Sequence, residues 1–430
     1  MVGVHFKTFG CTANFSDSEI MKGLLKSASY EVVDNAENAS VIVVNVCTVK
    51  GDQHALAEIK KTSLENPGKK LIIAGCVTKS LLERVKAEIP DVSFLNTHNI
   101  KKIDFVVNST LSDRPVSLIS GSNEPKTGLP KVRKNPVVGI IQIATGCDSF
   151  CSFCSTKLIK GRLQSYSPSS IVQEAAECIK EGCKEIWLTA TDTSCYGLDI
   201  GTNLPKLVKV LTRLDGEFMI RIGMANPKHV LRYQDELIEA ISNPKVFKFL
   251  HLPVQSGNDR VLKAMKREYT VEEYKKLVSR IKKEIPEITI ATDIIVGFPG
   301  ETFEEFIDSV RLVEETRPDV LNISRFVPRG GTQAIRMPNQ VPEIEKKMRS
   351  RLLTRVYWNV ALEQNLRWLG WKGLCIIDEV GKHGTLIGRN FAYKPIVLRG
   401  THKLGSIVEV EILAAEKFNL RDKSAIKAEV

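Results

Sequence analysis

No stretch of this 430-residue chain approaches the ~18–20 consecutive apolar residues that a bilayer-spanning helix needs. Its longest apolar run, Val41 to Val49, is broken by Asn45 and Thr48. Residues 1–20 also lack the basic-then-apolar pattern of a secretory leader, since Lys7 and Cys11 bracket a short strand-like segment. The expectation is a cytoplasmic protein with no membrane partner. Thiols stay reduced there, so the ten cysteines point to metal or redox chemistry and not to a disulfide framework. Neither charge nor hydropathy is extreme: 43% hydrophobic and 26% charged residues describe an ordinary globular protein, long enough for two or three domains. The 61 basic residues against 50 acidic ones give +11, a moderate lean toward a polyanionic partner.

A different absence is more telling. The run Gly146-Cys147-Asp148-Ser149-Phe150-Cys151-Ser152-Phe153-Cys154 offers three thiolates in the spacing C-x3-C-x2-C, with no fourth cysteine nearby. Cys178 and Cys183 come next, within a helical pattern. A 4Fe–4S cluster normally takes four cysteines, so three would leave one iron open to a non-protein ligand. Two other readings stay open: an apolar helix stripe, because i, i+4 and i+7 share a face, and a zinc site. The spacing, with aromatic Phe153 before the last cysteine, resembles the signature of the radical S-adenosylmethionine (SAM) superfamily. In that superfamily the open iron binds the amino and carboxylate groups of SAM.

Residues 1–110 alternate apolar strands (Val2–Phe9, Ser40–Val46, Lys70–Ala74) with helices (Ser16–Ser27, Asp52–Glu65, Lys79–Glu88). This predicts a doubly wound α/β domain with a parallel sheet. Cys11, Cys47 and Cys76 each follow the carboxyl end of a predicted strand, where loops of an open parallel sheet meet in one crevice. Three distant cysteines would therefore converge on a second open-iron cluster, although any one of them could be a buried structural thiol.

Residues 111–136 are rich in Ser, Gly, Pro and Lys and read as a linker. Over 137–364 six strands are predicted: Val137–Ala144, Glu185–Ala190, Glu217–Gly223, Phe247–Leu252, Ile288–Val296 and Asp319–Phe326. Amphipathic stretches such as Ser169–Glu181, Asn203–Leu214, Val271–Glu284 and Glu301–Thr316 separate them. Six β/α units suggest an open (β/α)6 partial barrel of TIM type, its active site at the carboxyl ends of the strands, and the three-cysteine loop follows the first strand. In 365–430 short strands at hairpin spacing (Gly373–Glu379, Gly384–Arg389, Lys394–Arg399, Ser406–Leu413) predict a small all-β barrel. Its Lys382, Arg389, Lys394, Arg399 and Lys403 alternate with Trp371, Phe391 and Tyr393, which suits phosphate contact and base stacking; a solvated basic face is the alternative.

The whole chain resembles the methylthiotransferases of the radical SAM superfamily. The matching segments are Thr8–Asn14, Asn45–Val49, Ala74–Val77, the Cys147/Cys151/Cys154 loop, Arg221–Pro227, His251–Gly257 and Ala291–Thr302. The resemblance implies an N-terminal domain with an auxiliary 4Fe–4S cluster on Cys11, Cys47 and Cys76, then the radical SAM barrel, then a TRAM-like domain that binds RNA. It implies replacement of an unreactive C–H by C–SCH3, with two 4Fe–4S clusters and SAM as cofactors. The cluster at Cys147/Cys151/Cys154 would reduce SAM to release the hydrogen-abstracting 5′-deoxyadenosyl radical, and the auxiliary cluster would carry the methylated sulfur. A reducing electron donor and a sulfur donor are then required partners. Candidate SAM contacts are Phe153 near the adenine, and Asp192, Arg221, Asn226 and Gln255 at or beyond strand ends. His251 reads as a packing or turn histidine; Cys178, Cys183, Cys195 and Cys375 read as structural thiols, with Cys195 in a candidate active-site loop.

Within the resemblance, Thr12 and the Arg221–Pro227 segment favour the archaeal and eukaryotic branch that acts on N6-threonylcarbamoyladenosine at position 37 of tRNA, giving the 2-methylthio derivative. Alternatives are N6-isopentenyladenosine in tRNA or an aspartate of a ribosomal protein. A two-cluster electron-transfer protein is the alternative of another class. Eukaryotic relatives can end in a membrane anchor, whereas Arg421–Val430 is polar and charged. Nothing in the sequence sets the oligomeric state; a monomer is the working expectation.

Overall fold

The computed structural model describes residues 1–47, 51–121 and 124–426. Thr48 and Val49 of the second matching segment, residues 122–123 of the linker and the last four residues of the polar end lie outside them.

The first layer is a six-stranded parallel sheet in the order Glu31–Val33, Gly3–Thr8, Val41–Val46, Lys70–Gly75, Ser93–Asn96, Ser117–Leu118. All six residues of Val41–Val46 are buried, which is why that strand reads as one apolar run and not as an alternation. Val41 and Val43 pack with Ile20, Met21 and Leu25 on one face, Ile42 and Val44 with Leu56 and Ile59 on the other. The helices Asp52–Glu65 and Lys79–Glu88 stand where the periodicity places them. Three strands escaped the reading because they are short: Glu31–Val33, Ser93–Asn96 and Ser117–Leu118.

The helix Thr12–Ser27 starts earlier than its apolar pattern and is buried on nearly every side, with Asn14, Ser16, Asp17, Ser18 and Glu19 all inside. It lies between the first sheet and the strand Val138–Gln142. The segment expected to be a linker is bound to this helix. Val132 N–H donates to Glu19 O at 2.9 Å, and a Cβ on Gly23 would fall 2.1 Å from Pro130 O, so glycine alone permits the approach.

Six parallel strands then form the open barrel, in two hydrogen-bonded groups. One is Met219–Ile222, Glu185–Thr189, Val138–Gln142; the other is Phe249–His251, Thr289–Val296, Val320–Arg325. A parallel bridge from Ile220 to Val246 joins the groups. All six predicted strands are present, and helices such as Pro168–Lys180, Val271–Glu284 and Phe303–Thr316 alternate with them. The last two of these begin with complete capping boxes, Thr270/Glu273 and Thr302/Glu305. The barrel is open at Val320–Arg325, where Asn322 and Ser324 are exposed.

A helix at Glu343–Leu366 was not anticipated from periodicity. It turns charge inward: Arg349 Nη1 meets Glu301 Oε2 at 2.9 Å, both buried, which blurs the apolar stripe that sequence reading relies on. It leads into a closed five-stranded barrel ordered Lys372–Val380, Leu386–Arg389, Pro395–Leu398, Leu420–Asp422, Ile407–Ala415. The fifth strand, Leu420–Asp422, lies in a charged stretch and was missed; its parallel pairing with Pro395–Leu398 closes the barrel.

Candidate active site

Two groups of three cysteines stand at the carboxyl ends of the two parallel sheets. In the first, Cys11, Cys47 and Cys76 follow the strands Gly3–Thr8, Val41–Val46 and Lys70–Gly75, which are neighbours in space. The Cys47 thiol hydrogen-bonds with those of both Cys11 and Cys76. Those contacts push the Cys11 thiol pKa up, with burial adding to it, and pull the Cys76 thiol down. Two glycines make room. At Gly10 (φ +138°) a Cβ would sit 2.4 Å from Cys47 Cβ, and at Gly75 (φ +96°) 2.2 Å from Asn45 Oδ1. Behind the thiols, Asn14 Nδ2 donates to Asn45 Oδ1 and Val46 O at 3.0 and 2.9 Å, and Asn45 Nδ2 returns bonds to Asn14 O and Ser18 Oγ at 2.8 Å. This buried amide pair fixes the loop ends on which Cys11 and Cys47 stand.

A buried ionic layer lies beneath. Asp17 accepts from Lys126 Nζ at 2.6 Å, Gln142 Nε2 at 2.7 Å and Thr97 Oγ1 at 2.7 Å. Burial drives the Asp17 carboxyl up, but Lys126 and Lys160 together hold it below the ordinary carboxylate range. Lys160 is itself 5% exposed. Burial works against its charge, and the surrounding Cys76, Cys11, Asp17 and Cys47 more than restore it. Neither Lys126 nor Lys160 carries a local sequence signal; both come from outside the first sheet.

The second group is the Cys147–Cys154 loop. Gly146 (φ +69°) turns the chain so tightly that a Cβ would lie 1.8 Å from Arg162 O. Cys154 N–H donates to Cys151 O at 3.1 Å, and the short helix Thr156–Lys160 follows at once. Lys157 Nζ reaches back to Cys147 O and lies 4.3 Å above the exposed Phe150 ring. A helix end and a single turn hold the loop. Ser152 N–H donates to Met265 O at 3.1 Å, and its O accepts from Ala334 N–H at 2.9 Å. Arg267, buried and absent from the sequence reading, donates to Cys151 Sγ at 3.3 Å, Asn226 Oδ1 at 2.9 Å and Pro253 O at 3.0 Å.

Among the expected SAM contacts, Asp192 and Asn226 do meet this loop. Asn226 Nδ2 donates to Ser149 Oγ at 3.0 Å. Asp192 Oδ1 accepts from Ser194 N–H, Ser194 Oγ and Asn226 N–H at 3.0, 2.6 and 3.1 Å. Its other oxygen is buried with no hydrogen-bond partner among the described residues, and so is Nδ1 of neighbouring His229. His229 Nε2 is 3.8 Å from Asp192 Oδ2 and 3.4 Å from Ser149 Oγ. Cys195 stands with Cys147 and Asp192 inside 4.8 Å. Phe153 turns edge-on to Phe298 at 6.5 Å in an apolar group with Met265, Phe326 and Ala334. Gln255 extends its strand in a left-handed turn (φ +78°), donating to Asp293 O at 2.8 Å. His251 Nε2 meets Asp293 Oδ1 at 2.8 Å, and Asn322 Nδ2 meets the same oxygen at 2.7 Å.

Arg221 is a correction. Its guanidinium is enclosed by Trp187, Phe249 and Tyr393 at 4.9, 4.9 and 5.0 Å, and Tyr393 comes from the C-terminal barrel. The side chain is committed to that cation–π enclosure, away from the cysteine loop. Two expected RNA contacts are corrected likewise. Lys394 is 3% exposed and bonds Asp319 Oδ1 at 2.7 Å and Asn365 Oδ1 at 3.0 Å. Arg389 Nε bonds Asp378 Oδ2 at 3.0 Å. Lys394 pins the small barrel to the rest of the chain, Arg389 is paired within that barrel, and neither side chain is left for a phosphate. Tyr393 is buried in the same contact, whereas Lys382 and Lys403 are exposed and Arg399 half-buried. Cys178, Cys183 and Cys375 are buried, as structural thiols are.

The donors fit two iron–sulfur clusters. Each set supplies three soft thiols, neither set of three is drawn together within 4.8 Å among the described residues, and Cys195 stands beside Cys147 of the second set as a further thiol. The orphaned Asp192 and His229 atoms give a polar ligand beside the second set something to bind.

Residues 141–313 match the radical SAM superfamily and residues 3–96 match the uncharacterized protein family UPF0004. A protein of Pyrococcus horikoshii named "Probable threonylcarbamoyladenosine tRNA methylthiotransferase" is 42% identical over 93% of this chain and 94% of its own length. The human threonylcarbamoyladenosine tRNA methylthiotransferase is 37% identical over 99% of this chain and 75% of its own. Among solved structures, the radical SAM methyltransferase TsrM of Kitasatospora setae superposes with a TM-score of 0.52 at 14% identity. It covers 75% of this chain and 73% of that one, a likeness of fold alone.

Proposed function

We propose, since the chain belongs to the family of threonylcarbamoyladenosine tRNA methylthiotransferases, that it converts N6-threonylcarbamoyladenosine at position 37 of tRNA to its 2-methylthio derivative. It is a radical SAM enzyme, and its cofactors are two 4Fe–4S clusters and SAM. Cys147, Cys151 and Cys154 would hold the SAM-binding cluster, and Cys11, Cys47 and Cys76 the auxiliary one. The observation that carries this reading is that two three-thiol sets stand after parallel strands, and that Lys160, at the end of the helix following Cys154, is buried beside Cys11, Cys47, Cys76 and Asp17.

The bound cofactors supply one-electron chemistry able to break an unactivated C–H bond and a sulfur to put in its place. The chain's own side chains do the positioning. Arg267 ties the Cys151 thiol to Asn226, so the cysteine loop and the end of the third barrel strand move as one. Asp192 holds beside Cys147 a carboxylate oxygen that has no hydrogen-bond partner among the described residues and lies 3.8 Å from His229 Nε2. Phe153, Phe298 and Phe326 form an apolar wall that keeps water from one side.

The same reading divides the chain at 1–110, 111–136, 137–364 and 365–430, with the second segment built onto the first domain through the strand Ser117–Leu118 and the bond from Val132 to Glu19. The closed C-terminal barrel would meet tRNA through Lys382, Arg399 and Lys403, with a reductant and a sulfur donor as further partners. No helix among the described residues is long and apolar enough to cross a membrane. A tRNA substrate supports work in the cytoplasm.

The test is anaerobic reconstitution, then incubation with SAM, reductant, sulfide and tRNA bearing threonylcarbamoyladenosine, followed by nucleoside mass analysis. A 2-methylthio nucleoside is expected. 5′-Deoxyadenosine without it would keep the enzyme class and refute the substrate.

A further inference from the structure

The stretch from Val327 to Ala334, which follows the last barrel strand, is strung between the two thiol sets. On one side Val327 Cγ1 lies 3.9 Å from where a side chain on Gly51 would start, four residues after Cys47. On the other, Ala334 N–H is bonded to Ser152 O inside the Cys147–Cys154 loop. In between, Gly331 (φ +80°) passes so near the helix Thr156–Lys160 that a Cβ there would be 2.9 Å from Leu158 Cδ1. Thr332 pins the backbone, its N–H and hydroxyl both donating to Arg329 O, at 3.2 and 2.7 Å.

Arg329 sits in the middle of this span, half-buried. Burial opposes the charge of its guanidinium, while Cys154 of one set, Cys47 of the other and Asp52 at the start of the helix Asp52–Glu65 favour it. Exposed apolar side chains stand on the segments it links: Val327 two residues before it is 49% exposed, Leu158 against Gly331 58%, and Phe150 of the Cys147–Cys154 loop 65%. A methylthiolated carbon has to approach both cofactors, so the target nucleotide has to come to the segment that joins the two thiol sets, on which Arg329 stands. Such a nucleotide brings its backbone phosphate, and the threonylcarbamoyl group adds a carboxylate. Each is an anion that accepts two parallel N–H bonds, the geometry a guanidinium presents and an ammonium does not. The exposed apolar side chains give a base a surface to lie on.

We infer that Arg329 anchors an anionic group of the target nucleotide, its backbone phosphate or the threonylcarbamoyl carboxylate, at the segment that joins the two thiol sets. The inference rests on the tRNA reading above. Arg329 is thereby a binding residue for substrate, beyond the cysteines and the SAM contacts.

Equilibrium binding to the reconstituted protein tests it, using one tRNA with threonylcarbamoyladenosine and the same tRNA with unmodified adenosine, at several salt concentrations. The variants are Arg329→Gln, Arg329→Lys and, as an equal loss of charge elsewhere, Lys276→Gln, whose side chain is 75% exposed on an outer helix. Iron content and thermal melting verify that each variant is folded and loaded. Arg329→Gln is expected to weaken binding of the modified tRNA about tenfold or more, with Lys276→Gln unchanged. Equal loss on both tRNAs, with the salt slope reduced by about one, identifies the phosphate. Loss confined to the modified tRNA identifies the carboxylate. Arg329→Lys keeps the charge but not the fork and should remain weakened; full rescue by lysine would reduce Arg329 to charge balance for the thiolates and overturn the inference. So would wild-type affinity of Arg329→Gln for both tRNAs. Failure of the wild-type protein to bind either tRNA would instead fell the tRNA reading itself.

Discussion

Glu185→Gln should stabilise the protein at pH 8 and do little near pH 4.5. Glu185 opens the second barrel strand at 0% exposure, and Asp378 of the C-terminal barrel is 4% exposed. Trp187 Nε1 donates to Glu185 Oε2 at 2.7 Å, while Glu185 Oε1 and Asp378 Oδ1 have no hydrogen-bond partner among the described residues. Burial first, and then the Asp378 charge, push Glu185 up from 4.5 to about 7; Trp187, Arg389 and Arg221 oppose this. Between those values the folded protein keeps a proton that the unfolded chain has released. Stability therefore falls as pH rises through that window, and the penalty is complete above it. A shift of this size corresponds to about 3 kcal/mol at most at pH 8. Glutamine keeps the acceptor for Trp187 and carries no charge. The expected result is a melting midpoint several degrees higher than wild type at pH 8, the gain shrinking toward zero near pH 4.5. Calorimetry of both proteins across that range reads it directly. A gain of equal size at both ends, or none at pH 8, would refute the assignment of the buried proton.

Cys76→Ala should still form 5′-deoxyadenosine from SAM but yield no methylthio nucleoside; retained product would remove Cys76 from the auxiliary set. Arg267→Gln cuts the link between Cys151 and Asn226. It should slow SAM cleavage by at least about tenfold with the auxiliary cluster's spectrum intact, and unchanged cleavage would make Arg267 a packing residue only. Lys382→Gln with Lys403→Gln should lower the salt slope of tRNA binding by about one to two, whereas Lys394→Gln should lower thermal stability instead. The reverse pattern would return Lys394 to the RNA face.

The two groups of cysteines were legible because thiolate chemistry favours one residue type at a set local spacing. Cys147, Cys151 and Cys154 lie within one turn-rich loop, and Cys11, Cys47 and Cys76 could be grouped because loops at the carboxyl ends of adjacent parallel strands must meet. The six barrel strands were legible for a similar reason, being short apolar runs separated by amphipathic helices. Elements whose stability is tertiary were not. The two-residue strand Ser117–Leu118 exists only as an addition to a sheet edge, and the helix Glu343–Leu366 hides its inward face behind buried ion pairs.

Basic residues mark the same boundary. By itself the sequence determined the grouping of the cysteines and the chain order of parallel sheet, open barrel and closed barrel, because these follow from local spacing and periodicity, while its ordered motifs carried the reaction class. It said nothing of which charges face water. Arg221, Arg389 and Lys394 read as binding groups and are enclosed, while Lys160, Arg267 and Arg329 read as nothing and stand beside the thiols. Whether a cation is solvated, paired or aimed at a ligand depends on segments tens to hundreds of residues away, and only their packing in three dimensions brings those segments to it.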